Sequence, residues 1–251
     1  MSRISKILVI SLTLLSPVLA QAEDSITTLS PIPQVSQGWR FEVTPYLWSP
    51  GINSSLFFND KYINTSKFSS SDVLGNLKSG GMISAEAHYG DYGVMGDLVS
   101  ATLQETPNIK ITLQQTILTG AATYTILNSK DAYIDGLLGV RSIAATATVT
   151  AASSAKSGGF GSVSTIDPIA GFKGRYRIAD STWYVPFYAD IGGGAGTTNI
   201  TWQTMLGVGK TFEKWVDVSL SYRYLYYDMA GSSVLQKTTF KGPQLAATFN
   251  F

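Results

Sequence analysis

Val216-Asp-Val-Ser-Leu-Ser-Tyr-Arg-Tyr-Leu-Tyr226 is the stretch whose reading decides the fold. Val216, Val218, Leu220, Tyr222, Tyr224 and Tyr226 point one way; Asp217, Ser219, Ser221 and Arg223 point the other. A period of two is the signature of a strand with one apolar and one polar face. The carboxy-terminal run repeats it, with Leu245, Ala247, Phe249 and Phe251 set against Gln244, Ala246, Thr248 and Asn250.

The same phase runs back to Trp39. Phe41, Val43 and Leu47 oppose Arg40, Glu42 and Thr44. Ile83, Ala85, Ala87 and Tyr89 oppose Ser84, Glu86 and His88, and Ile134, Leu138 and Val140 oppose Asp135 and Arg141. About ten such runs are predicted, with eight or twelve also compatible, and an even number suits a closed single-chain barrel. Their connections alternate in length. Gly90-Asp91, 128–130, 179–182 and 213–214 are short, whereas 49–80, 152–163 and 228–238 are long and 104–110 and 193–199 intermediate. Trp202 and Phe212 share one face ten residues apart. At ~3.3 Å per residue and a tilt of ~40–45° they are separated by roughly 25 Å along the membrane normal, the height of an apolar band in lipid. Trp183, Phe212, Trp215 and Phe251 fall at one set of strand ends; Trp48, Trp202, Tyr224 and Tyr226 fall at the other. Two aromatic girdles follow.

The amino terminus carries Arg3 and Lys6, an apolar run from Ile7 to Ala20, and the small-x-small pattern Ala20-Gln21-Ala22. Residues 1–22 are therefore expected to be a cleaved signal peptide, 23–38 a flexible periplasmic leader and 39–251 the barrel. Later apolar stretches are all interrupted by polar residues, so a span after export must be a barrel, because only helices and closed barrels satisfy backbone groups in lipid. The expected fold is all-β: a transmembrane, up-and-down, antiparallel β-barrel in the outer membrane of a Gram-negative bacterium. The chain has no cysteine and a formal charge of +1. That removes disulfides and thiolate chemistry and leaves no electrostatic case for nucleic acid. Pro45, Pro168, Pro186 and Pro243 lie inside runs read as strands, where each removes a ladder donor.

Several short segments resemble an uncharacterised family of Gram-negative outer-membrane β-barrel proteins. They are Phe41-Glu-Val-Thr-Pro-Tyr-Leu-Trp48 with Pro50-Gly51, Gly96-Asp97-Leu98, Gly139-Val140-Arg141, Asp167-Pro168-Ile169-Ala170-Gly171, Asp190-Ile191-Gly192-Gly193, Tyr222-Arg223-Tyr224 and Gly242-Pro243. The resemblance covers about 39–251. It implies a signal peptide, a barrel and an outer-membrane location, and makes terminal Phe251 similar to the signal read by the barrel-assembly machinery. It implies no activity. Gly192 to Gly196 is richer in glycine than the pattern of that family.

The inward face carries Arg40, Glu42, Glu86, Asp97, Asp135, Arg141, Asp167, Lys173, Arg175, Arg177, Asp190, Asp217 and Arg223. Charges in a narrow, poorly hydrated interior must pair or neutralise. A barrel of about ten strands is only slightly wider than one filled by side chains, so an occluding ion-pair network is favoured over a charge-lined solute channel. The expected role is structural or interactive, with a narrow porin-like channel as the alternative and a hydrolase third. His88, the lone histidine, has Glu86 two residues before it, a base with an orienting carboxylate. No spacing brings a serine to it, and the pair lies near the periplasmic turn, so no enzyme activity is expected. Gly207-Val-Gly-Lys-Thr211 imitates a phosphate loop but lacks its leading glycine and alternates as a strand. No cofactor or metal is expected, and the expected partners are outer-membrane lipids. The segment 49–80, with Leu56, Phe57, Phe58, Tyr62 and Phe68, is expected to fold over the barrel mouth rather than extend the wall as a hairpin.

Overall fold

The alternation becomes one closed antiparallel sheet in the computed structural model, which describes residues 29–58, 61–105, 109–151, 157–194, 198–230 and 234–251. The expected signal peptide and residues 23–28 of the leader lie outside the described residues. In chain order the elements are β1 (Trp39–Trp48), β2 (Gly51–Phe58), β3 (Lys61–Phe68), α1 (Ser70–Gly75), β4 (Leu77–Tyr89), β5 (Tyr92–Glu105) and β6 (Ile109–Asn128). There follow β7 (Ala132–Ala151), β8 (Ser157–Arg177), β9 (Trp183–Gly192), β10 (Thr198–Glu213), β11 (Val216–Ala230) and β12 (Val234–Asn250). Neighbours pair in the order β1-β4-β5-β6-β7-β8-β9-β10-β11-β12, and β12 returns to β1. Ten strands thus make the barrel, with a single turn and a half of helix outside it.

The two remaining strands are a hairpin. β2 continues β1 beyond a break at Ser49-Pro50 and pairs with the first half of β12, from Val234↔Phe58 to Lys241↔Gly51. β1 takes the second half, from Trp48↔Gln244 to Glu42↔Asn250. β3 pairs back on β2, and α1 leads into β4. The segment 49–80 is therefore part of the wall and does not fold across the mouth as expected. Its edge-to-edge hydrogen bonds with β12 satisfy backbone groups that a folded-over loop would leave to water. The other outer connections are also shorter than expected. β8 begins at Ser157, and only Gly231 to Ser233 separate β11 from β12.

The outward face carries the lipid belt. Leu47, Val94, Leu118, Leu138, Ile166, Leu206, Leu220 and Leu245 are all exposed. On β5 the outward series Tyr92, Val94 and Leu98 gives way to Ser100, Thr102 and Gln104, which marks the outer edge of the belt. β6, β7 and β8 have 20, 20 and 21 residues, where about 9–11 cross a bilayer, so the wall stands well clear of the membrane. Trp202 stacks on Tyr224 at 4.7 Å and contacts Tyr226 at 5.9 Å at one rim; Trp215 stacks on Phe249 at 6.1 Å at the other. Lys210 reaches along the outside to lie 5.4 Å from Trp183 and 5.2 Å from Phe212, its ammonium extended toward the inner interface. Phe251 is exposed as well. Trp48, in contrast, does not join the outer girdle: it points inward and is buried, because it lies in phase with Glu42 and Tyr46.

Each strand proline sits where the ladder is interrupted. In β9–β10 the register passes from Leu206↔Phe187 to Gly209↔Tyr184, so Pro186 faces β10 across missing rungs while keeping Arg175 as its β8 partner. Pro45 likewise falls between Val43↔Phe249 and Tyr46↔Ala246. Pro168 lies one residue beyond the last β8–β9 pair, Ile169↔Gly192. Pro243 marks the point where β12 changes partner from β2 to β1. A missing N–H is harmless where no acceptor faces it.

Candidate functional site: a layered barrel interior

The inward positions form three layers. Nearest the periplasm, Lys173 of β8 bonds Glu86 of β4 and lies 3.6 Å from Asp135 of β7. Arg175, two residues on, meets Asp217 at 2.8 Å and Glu42 at 3.4 Å, and Glu42 also takes Arg40 at 3.4 Å. Strands far apart in sequence are tied by these contacts, because successive inward residues of β8 look across the lumen at β1, β4 and β11. His88 completes the layer. Its Nε2 is 3.1 Å from Glu86 and its ring meets Tyr133 edge-on at 6.5 Å. The ring lies over Gly93, where an added Cβ would come within 2.6 Å of Cε1.

Part of the leader closes this end. Pro31 and Ile32 are buried in the mouth, Arg175 donates to the Pro31 carbonyl at 3.4 Å and Asn128 to that of Pro33 at 2.9 Å. Gly90 N–H bonds the Ser36 carbonyl at 3.0 Å. Between this plug and the next layer lies a cavity of about 150 Å³, lined by Glu42, Glu86, Lys173, Tyr184 and Arg223 among others.

The middle layer is a septum. Arg223 donates to Asp97 at 2.8 Å, to the Tyr46 hydroxyl at 2.9 Å and to Gln203 at 2.8 and 3.1 Å; Tyr46 in turn donates to Asp97 at 2.7 Å. Beside it Arg141 grips Asp190 with two bonds, one of 2.9 Å, and donates to Thr119 and Thr201 at 3.3 Å each. Arg141, Asp135 and Asp167 are fully buried. Fork-to-carboxylate pairing of this kind satisfies donors in a fixed plane.

Twelve of the thirteen sequence-derived charges thus have an ion-pair partner, though one of them is not luminal in effect: Arg177 turns to Asp180 in the β8–β9 turn, 3.8 Å away, and donates to the Ser181 carbonyl. Asp167 is the exception. It stands opposite Arg141 in the β7–β8 ladder, accepts only from Thr165 at 3.2 Å, and its Oδ1 has no hydrogen-bond partner among the described residues. The residues not anticipated are the neutral ones. Tyr46, Gln203, Thr119 and Thr201 complete the septum, and their shared phase with the charges was the signal that pointed to them.

The outer layer overturns the expectation of a polar lumen throughout. Trp48, Val99, Ile117, Ile143, Leu225, Tyr227, Met229 and Phe240 form one buried apolar cluster. The Arg223 guanidinium lies 4.8 Å from the Trp48 ring and so caps it from below. Above this floor is a second cavity of about 260 Å³, which shares no lining residue with the first.

Among the described residues no cluster of three His, Cys, Asp or Glu side chains is placed to hold a metal, and no helix is long and apolar enough to cross a membrane. A transmembrane β-barrel with an apolar belt, two aromatic rims and a charge-paired interior defines the class: this is an outer-membrane barrel of the Gram-negative type. No protein-family model and no curated protein sequence matches the chain. Solved structures do. The outer-membrane protease OmpT of Escherichia coli superposes with a TM-score of 0.53 at 8% identity, over 90% of this chain and all of that one. Ail, the attachment invasion locus protein of Yersinia pestis, in complex with a heparin analogue, gives 0.40 at 13% identity, over 86% and 100%. Neisserial surface protein A gives 0.36 at 14%, over 84% and 97%. The likeness to OmpT is one of fold alone.

Proposed function

We propose that the protein is a non-conducting, non-enzymatic outer-membrane barrel with a structural or interaction role, its polar lumen sealed in mid-membrane. The observation that carries this reading is the septum. Arg223, Asp97, Tyr46 and Gln203 tie β11 and β10 to β5 and β1 across the lumen, and with Arg141 and Asp190 beside them they divide the interior into cavities with no common lining. An ion crossing it would have to break buried charge-assisted bonds, each worth about 1.5–3 kcal/mol. The leader residues Pro31 and Ile32 add a second closure. His88 is held below the septum by Glu86 and Tyr133, away from the long outer wall where a substrate from the medium would arrive. Lipid contacts the belt, and the barrel-assembly machinery inserts the barrel.

Planar-bilayer recording from purified native protein tests the proposal. Flat traces are expected, and they should stay flat after removal of residues 23–37, since the septum does not depend on the leader. Steady single-channel steps from either form would instead support the narrow-channel reading.

A further inference from the structure

The outer cavity is apolar where a barrel lumen is ordinarily wet, and the fold gives it a way in. The β1–β4 ladder ends at Pro45↔Ile83. Beyond it β4 pairs only with β5, and β3 only with β2 among the described residues, so the wall has a seam between Phe68 and Leu77. α1 lies over this seam. Its Val73 is turned inward and buried, while Leu74 is exposed; the Asn76 carbonyl accepts from Gln104 N–H at 2.9 Å and pins the helix end to β5. A register shift between Leu77 and Ser79 breaks the alternation of β4, and Leu77 joins the cavity lining. The outward residues of β4 above Ile83 are Gly81 and Ser79, so the seam opens beyond the lipid belt.

The lining specifies chemistry. Ile117, Ile143, Val99, Met229 and Phe240 make its body. No lysine or arginine lines it, and its single charged residue is Asp72, on the helix at the seam. Two lining residues have buried donors without an acceptor among the described residues: Gln115 Nε2 and Trp48 Nε1. A buried donor left unpaired is costly, and an acceptor on an occupant would relieve it. An unfilled apolar cavity also forfeits dispersion contacts along its whole lining. A cavity of roughly 150 Å³ lined by aliphatic residues holds benzene; this one is larger at about 260 Å³.

We infer that the outer cavity binds a small uncharged hydrophobic molecule carrying one hydrogen-bond acceptor, admitted through the seam under α1. A carboxylate is disfavoured, because it would enter past Asp72 and find no cation. The inference is independent of whether the septum conducts.

Trp48 reports on the site from within. In a variant with Trp39, Trp183, Trp202 and Trp215 replaced by Phe, it is the sole tryptophan and is shielded from lipid. With this protein in nanodiscs, a terminally brominated octanol should quench its fluorescence saturably, and the matching octanoate at neutral pH should bind about tenfold more weakly or worse. Ala145→Phe and, separately, Val99→Phe should abolish saturation while each barrel keeps its heat-modifiable gel migration. Gln115→Leu should weaken the alcohol and leave a brominated alkane unaffected. Absence of saturable quenching, equal affinity for octanoate, or saturation that survives both filling variants would overturn the inference. Quenching by brominated acyl chains of the nanodisc lipid alone would overturn it too, by making the occupant a lipid tail.

Discussion

Removing Asp97 should damage this barrel far more than removing Asp97 and Arg223 together. In Asp97→Ala the Arg223 guanidinium keeps only neutral acceptors, the Tyr46 hydroxyl and Gln203, and Tyr46 loses the carboxylate 2.7 Å from its oxygen. An ion pair this deeply buried, broken from one side, costs about 3–5 kcal/mol, since the remaining charge is left uncompensated. Replacing both partners by apolar residues of similar size, Asp97→Leu with Arg223→Met, should cost within about 1 kcal/mol, since the desolvation of two charges is no longer required. Met also preserves a stem against Trp48, from which the guanidinium is 4.8 Å. The double variant should therefore be more stable than Asp97→Ala by roughly 2–4 kcal/mol. Urea unfolding in detergent micelles, followed by tryptophan fluorescence and gel migration, measures each variant. If Asp97→Ala loses less than about 1 kcal/mol, water reaches Arg223 and the septum is not dry. If the double variant is worse than the single, the pair contributes net stability and the desolvation argument fails.

Gly209 admits the ring of Tyr184, since a Cβ there would come within 2.7 Å of Cε2 and the hydroxyl oxygen; Gly209→Ala should cost about 1–3 kcal/mol in the same assay, and an equal loss in a Tyr184→Ala background would show that the ring is not the cause. Ala179 has φ of 43° in the β8–β9 turn, so Ala179→Gly should gain up to about 1 kcal/mol, with a lowered unfolding midpoint as the contrary result. The Ser69 hydroxyl and backbone N–H hold the Asp72 carboxyl below its ordinary pKa, closing a capping box on α1. A depressed folded value means that this contribution is present above the ordinary carboxylate range and is lost as pH falls through the depressed value. A spin label at Ser71 should accordingly become mobile on acidification, and at every pH in Asp72→Asn; a label indifferent to both would refute the cap.

Much of the fold was written in residue alternation, because lipid imposes one phase for the width of the belt. Val216 to Tyr226 and Leu245 to Phe251 carry it without interruption, and the short turns at Gly90-Asp91 and Glu213-Lys214 divide the strands cleanly. Inward charges were legible for the same reason, and their pairing followed from desolvation. What alternation could not convey was the interior beyond the belt. Ile117, Ile143, Leu225, Tyr227 and Met229 occupy inward positions, so they blur the pattern rather than sharpen it. Tyr224-Leu-Tyr-Tyr227 is apolar on both faces, and that loss of period was the available sign of a filled outer core. The wall above the lipid was missed in the opposite sense: Thr116, Thr146 and Ser164 put polar groups on the outward face, where the belt below carries apolar ones.

The four displaced rungs have a bearing on how the hoop is joined. Its clasp is the meeting of β1 with β12, the first and last strands, and Pro45 and Pro243 both stand there. Across the gap Thr44 and Thr248 hold hands by their hydroxyls at 2.9 Å, and Phe41 and Phe251 exchange two backbone bonds at 3.2 and 2.9 Å below it. Such a join, bridging the longest loop in the molecule, is the last to zip. With rungs omitted by proline it is also the first to loosen, and amide exchange in Tyr46 to Trp48 should outpace that in Leu113 to Leu118, where the β6–β7 register is unbroken.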